Sequence, residues 1–211
     1  MAAGPLTRIA RISVLLLSIP CFSGNSVASP CFDLNQPNVT LLKPSPTTFP
    51  EIGKESQSFG KDEKTGYDWA IASGRVNKPL SLILERLLDP MTTRDREITE
   101  VEMNRVEVKG ALQKQHLKIK VKPIFFLTLE WEEDWLYTIK KGKPGKMESV
   151  VISYQKTSGT SHIEHFCGNI LIQRIKSGVS GVFLTEEIKA DRRSAEDVYR
   201  GLMGTLRTLR E

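Results

Sequence analysis

The stretch SAEDVYRGLMGTLRTLRE, residues 194–211, reads as a helix that cannot stand alone. Ser194 is suited to cap its start, and Asp197, three residues on, lies where a negative charge complements the helix dipole. Ala195, Val198, Leu202, Leu206 and Leu209 make one apolar stripe, and Arg207 and Arg210 fall in the last turn, where positive charge is favoured. A stripe of this kind has to be covered by another layer.

That layer lies upstream, where the hydrophobic period changes from about 3.6 to 2. Leu117, Ile119 and Val121 alternate with Lys118, Lys120 and Lys122, the pattern of an antiparallel sheet with one dry face and one solvated face. Val101 and Met103, then Val106 and Val108, alternate with a change of phase near Asn104 and Arg105 that predicts a β-bulge. Further strands are marked by Leu127, Leu129 and Trp131, by Trp135, Tyr137 and Ile139, by Val150, Ile152 and Tyr154, by His162–Gln173, and by Val182–Ala190. A turn at Ser158–Thr160 would pair Tyr154 with Glu164, Ile152 with Phe166 and Val150 with Gly168, leaving room on that face at the glycine. Before all of these, Tyr67–Val76 has strand composition. Asn77-Lys78-Pro79 then opens a short helix with Leu80, Ile83, Leu84, Leu87 and Leu88 on one face, stopped by Asp89-Pro90.

The order of strand, short helix, six strands and long C-terminal helix resembles the helix-grip fold of the START-like (SRPBCC) superfamily, which includes polyketide cyclases, plant pathogenesis-related allergens and lipid-transfer domains. The resemblance covers residues 67–211. It rests on Val76-Asn77-Lys78-Pro79 with Leu87-Leu88-Asp89, on Gly168 in the penultimate strand, and on Ala195–Leu209. It implies an α+β fold, a curved antiparallel sheet of about seven strands wrapped around the C-terminal helix with an elongated apolar cavity between them. Leu129, Trp131, Ile152, Tyr154, Phe166 and Leu202 are the residues expected to line that cavity. A single early helix, where the superfamily has two, is a departure from the pattern.

The N-terminus reads as an address. Arg8 and Arg11 precede the apolar run Ile12–Ile19, and Ser26-Val27-Ala28 suits signal peptidase, so residues 1–28 are expected to be a signal peptide and the mature chain to begin at Ser29, secreted or periplasmic. Cleavage removes two positive charges from the net +5 and leaves no basic stripe, so nucleic acid is not an implied partner. Residues 29–65, with Pro30, Pro37, Pro44, Pro46 and Pro50, read as a flexible tail, and residues 66–211 as the domain. Cys21 leaves with the signal. Cys31 and Cys167 remain, either bridged in an oxidising compartment or as one tail thiol and one small buried side chain.

Signatures of catalysis are sparse. There is no G-x-S-x-G elbow, P-loop or dinucleotide fingerprint, and no cofactor is implied. His162 and His165, three apart on a strand, point to opposite faces and cannot share a metal, so no metal site is expected. Glu164, Glu186 and His162 have the parity of the cavity face, and a carboxylate aimed into an apolar cavity can serve as an acid or base. The acidic stretch Glu130, Glu132, Glu133 and Asp134 and the basic loop Lys140, Lys141, Lys143 and Lys146 read as solvated hairpin ends, the basic loop also suiting contact with anionic lipid headgroups. The expectation is a domain that binds a hydrophobic small molecule or lipid. The alternatives are an interaction module whose cavity is filled by its own aromatics, and an enzyme of cyclase or hydrolase type.

Overall fold

In the computed structural model, residues 31–37, 39–89, 98–124, 127–191 and 193–211 are described; the expected signal peptide lies outside them. Ten elements follow in chain order: β1 (Ser56–Lys61), β2 (Asp68–Val76), α1 (Leu80–Leu87), β3 (Ile98–Val106), β4 (Gln113–Ile124), β5 (Leu127–Lys143), β6 (Lys146–Gly159), β7 (Ile163–Lys176), β8 (Val179–Ala190) and α2 (Ala195–Arg210). The strands form one antiparallel, eight-stranded sheet in the order β1-β2-β8-β7-β6-β5-β4-β3. Its eighth strand, β1, comes from the segment read as a tail.

Both helices pack on the inner face. The α1 stripe of Leu80, Ile83, Leu84 and Leu87 and the α2 stripe of Val198, Leu202, Leu206 and Leu209 join one core with Ala70, Ala72, Leu117, Ile119, Trp135, Val150, Ile152, Ile172 and Leu184. A capping box closes the start of α2: Ser194 Oγ accepts from the Asp197 N–H, and the Ser194 N–H donates to Asp197. At the other end Arg210 pairs with Glu55 and donates to the Arg75 carbonyl, fastening the helix to β2 and to the chain before β1. No helix among the described residues is long and apolar enough to cross a membrane.

The outer face differs from the sequence expectation. It is not solvated along its middle strands, because residues 31–37 and 39–50 cross it as an extended strap. Phe32, Leu34 and Val39 bury against Leu136 and Cys167, and Phe49 buries against Val151, Leu171 and Phe183. The strap makes no regular ladder. Sheet side chains satisfy its backbone instead: Gln155 Oε1 accepts from the Cys31 and Phe32 N–H groups (2.9 Å each) and Gln155 Nε2 donates to the Phe32 carbonyl. Asn169 accepts from Leu42 N–H, Lys140 donates to Val39 O, and Arg75 donates to Phe49 O. Proline-rich chain suits this role because it brings few N–H groups that need partners.

Two registers also differ. The phase change in β3 falls at Ile98–Glu100, so Ile98 and Val101 both turn inward, while Met103 and Val106 are exposed. Between β6 and β7 the pairing is Tyr154 with Gly168, Ile152 with Ile170 and Val150 with Ile172, four residues from the expected register. The ladder stops at Gln155–Cys167 because the two strands then diverge, β6 continuing along β5 and the start of β7 along β8. A shift of four preserves parity, so the side chains from Phe166 to Ile172 keep their expected faces, while Glu164, at the irregularity between Ile163 and His165, does not.

Candidate functional site

The inner face carries buried polar groups among its apolar ones. Trp131, Glu133, Trp135 and Tyr137 alternate along β5 and project together. Glu133 is fully buried, and its two carboxylate oxygens accept from the Trp131 and Trp135 indole N–H groups at 2.6 and 2.8 Å. The Tyr137 hydroxyl lies 2.9 Å from the Leu87 carbonyl and 2.8 Å from Gln115 Oε1, and Gln115 Nε2 donates to the Leu88 carbonyl, which fixes the end of α1 to the sheet. Trp135 stacks on Tyr154 (4.6 Å between centroids), and Phe166 lies tilted beyond it. The Tyr154 hydroxyl donates to Glu186 at 2.9 Å. Lys156, the cross-strand partner of Glu133, is 2% exposed; its ammonium has no hydrogen-bond partner among the described residues, and burial pulls its pKa below the ordinary lysine value.

The six residues expected to line the cavity come together: Trp131, Ile152, Tyr154 and Leu202 belong to the inner core, and Leu129 and Phe166 pack on its margin. Of the three acid–base candidates only Glu186 belongs with them. Glu164 sits at an irregularity between Ile163 and His165, half-exposed and paired with Lys189 at 2.5 Å, whose pKa it raises by hydrogen bonding and by charge. His162 is in the turn before β7, half-exposed and 2.8 Å from Asp191. The space expected at Gly168 is taken by the Tyr154 phenol, which a Cβ there would overlap.

The acidic stretch is not a hairpin end. Its alternate members face outward along the lysines of β4: Glu130 pairs with Lys118 (3.0 Å), Asp134 with Lys114 and His116 (2.8 Å each), and Ser158 donates to Glu132. Glu133 between them turns inward. Period-2 reading of WEEDW already places Glu133 on the face of the two tryptophans, and that was the available signal. The same period marks Lys156, which continues the inward series Val150, Ile152 and Tyr154 and pairs with Glu133 just before the irregularity at Glu132–Glu133. In the basic loop Lys140 holds the strap and Lys141 pairs with Glu148.

On the outer face Cys31 and Cys167 are joined as a disulfide, tying the strap to β7. His165 Nε2 lies 3.3 Å from one sulfur and 3.4 Å from the other, and its ring stacks on Tyr67 (4.1 Å). Burial lowers the His165 pKa, the nearby Glu187 opposing this.

By sequence, no family model and no curated protein matches the chain. By structure it is similar to the lipid transfer and protein localization domain of human StarD13, with a TM-score of 0.52 at 15% identity over 74% of this chain and 80% of that one. Other similar structures include a STAR-related lipid transfer protein from Xanthomonas axonopodis (TM-score 0.46, 14% identity, 73% and 96% covered). The Zhui aromatase/cyclase from Streptomyces sp. R1128 is another (0.43, 15%, 68% and 86%). In this chain α2 is held across β1, β2 and β8 of an antiparallel sheet, and the protein has the helix-grip fold.

Proposed function

We propose that this is an exported helix-grip domain that binds a hydrophobic small molecule or lipid on the inner face, between the sheet and α2. The observation that carries the reading is the polar set buried in that apolar face. A core built for stability alone gains nothing from an unpartnered lysine, whereas a ligand with an apolar body and a polar group would use Lys156, Glu133 and the Tyr154–Glu186 pair to fix its orientation. The lipid-transfer domain of similar fold supports the same class of ligand. Native mass spectrometry of the protein purified from its own compartment tests this: a bound lipid or apolar small molecule is expected. A chain that stays empty and takes up no hydrophobic fluorescent probe would overturn it.

A second reading, an interaction module closed by its own side chains, is favoured by the Trp135–Tyr154 stack, which fills part of the inner face with protein. The same experiment separates the two. An enzymatic reading rests on Glu186 as acid or base; Glu186→Gln should then abolish turnover of a bound substrate while leaving its affinity intact. Export is tested by the N-terminus of the protein recovered outside the cytoplasm, expected at Ser29; a chain found inside the cell and still beginning at Met1 would end that part of the proposal.

A further inference from the structure

The disulfide on the outer face sits in a set of donors that has a second use. We propose that Cys31, Cys167 and His165 form a redox-gated Zn²⁺ site: reduced by a dithiol, the two cysteines and His165 Nε2 bind the ion and leave one coordination position open.

The three donor atoms lie within 4.8 Å of one another, and one histidine nitrogen, Nε2, faces both sulfurs. Tetrahedral zinc with Zn–S near 2.3 Å and Zn–N near 2.0 Å requires S···N separations of about 3.5 Å and an S···S separation of about 3.7 Å. The observed S···N distances, 3.3 and 3.4 Å, already fit within about 0.2 Å. Only the sulfurs have to part, and reduction is the step that parts them.

The strap has other holds on the sheet besides the bond it would lose. Gln155 holds Cys31 and Phe32 through three backbone hydrogen bonds, and Phe32 and Leu34 are buried beside it. His165 is fixed by its stack on Tyr67. A surface pocket of about 390 Å³, lined by Asp33, Lys114 and Gln155 among others, reaches Cys31, one of the three donor residues.

The chemistry balances. The dithiol gives two electrons and two protons to the Cys31–Cys167 bond and becomes a disulfide, leaving two protein thiols. Zinc then displaces the two thiol protons and binds both thiolates with the neutral imidazole. A disulfide oxidant reverses this: it takes two electrons from the thiolates and two protons from solvent to become a dithiol, the Cys31–Cys167 bond re-forms and the ion is released.

The test uses the full chain carrying Cys21→Ser, so that Cys31 and Cys167 are its sole cysteines. Reduced protein is titrated anaerobically with Co²⁺ as the spectroscopic probe and then with Zn²⁺ against a chelator. Expected are one ion per chain, thiolate-to-cobalt absorption with tetrahedral d–d bands, and release of two protons. His165→Gln should weaken Zn²⁺ binding at least tenfold, and the oxidised chain should not bind. Failure of the reduced chain to bind, equal binding by Cys167→Ser or by the oxidised chain, or loss of the far-ultraviolet dichroism on reduction would each overturn the proposal.

Discussion

Tyr154 reaches across a whole strand to Glu186. Its hydroxyl donates at 2.9 Å to a carboxylate on β8, although Tyr154 belongs to β6, and the phenol passes over β7 at Gly168. The glycine is what makes the crossing feasible, since a Cβ there would meet the phenol and the Thr185 carbonyl. Gly168→Ala is therefore expected to destabilise the fold by about 1–3 kcal/mol, the range for forcing extra volume into a packed core. Urea unfolding checks this, and an alanine variant as stable as the parent would mean that the phenol lies elsewhere.

Glu133 sets the two tryptophans. Charged hydrogen bonds of this kind are worth roughly 1.5–3 kcal/mol each. Glu133→Ala leaves both indole N–H groups without this acceptor and should cost about 3 kcal/mol or more, whereas Glu133→Gln keeps one acceptor oxygen and should cost about half as much. The near-ultraviolet dichroism of Trp131 and Trp135 should weaken in step. An alanine variant with unchanged dichroism and stability would show that the carboxylate does not hold the rings.

Lys156 makes the opposite prediction. Its buried ammonium lacks a hydrogen-bond partner, so Lys156→Met should raise stability by about 1–3 kcal/mol, because an apolar chain of similar length loses nothing by desolvation. If the lysine meets a ligand's polar group, the same variant should bind that ligand more weakly. A variant less stable than the parent contradicts the first expectation.

The Cys31–Cys167 bridge spans 136 residues of sequence, and in the chain-entropy model closing so long a loop stabilises by about 5 kcal/mol. Reduction should shift the urea midpoint sharply downward without abolishing the folded baseline. A shift under about 1 kcal/mol would indicate a denatured state already held together by other contacts.

His165 gives a pH dependence whose sign is fixed by burial. Its folded pKa lies below the 6.5 of the free side chain, so the unfolded chain takes up this proton before the folded one does. Its contribution is complete above about pH 7.5, declines as pH falls through 6.5 toward the folded value, and is constant below that. Glu55, lowered by its own backbone N–H and then by Arg210, and Asp197, lowered by Ser194, lose their contributions only in more acid solution. His165→Phe should flatten the profile between about pH 7.5 and pH 5; parallel profiles for the two proteins would refute the assignment.

Much of the fold is legible in the sequence because its elements carry their own periods. The helix stripes and the alternation of Leu117, Ile119 and Val121 depend only on local geometry, and parity survived even where the β6–β7 register moved by four. The strap was not legible from period, since Phe32, Leu34, Val39 and Phe49 anchor an irregular chain whose buried partners Leu136, Val151, Cys167, Leu171 and Phe183 are more than 90 residues away. Its imprint was present in the sheet instead. Val150-Val151-Ile152, Ile170-Leu171-Ile172 and Val182-Phe183-Leu184 are continuous apolar runs, as strands covered on both faces require. At the site, period 2 finds the aromatic lining and Glu133. Glu164 misleads, because an irregularity next to it breaks the alternation on which its inward placement depended.

The strap has a mechanical consequence. With chain packed on both sides, the central strands can change their curvature only by shearing two interfaces at once, one with the helices and one with residues 31–50. Bending is therefore the stiff coordinate, and the doubly covered sheet is a rigid back plate to which Arg210–Glu55 fastens the end of α2.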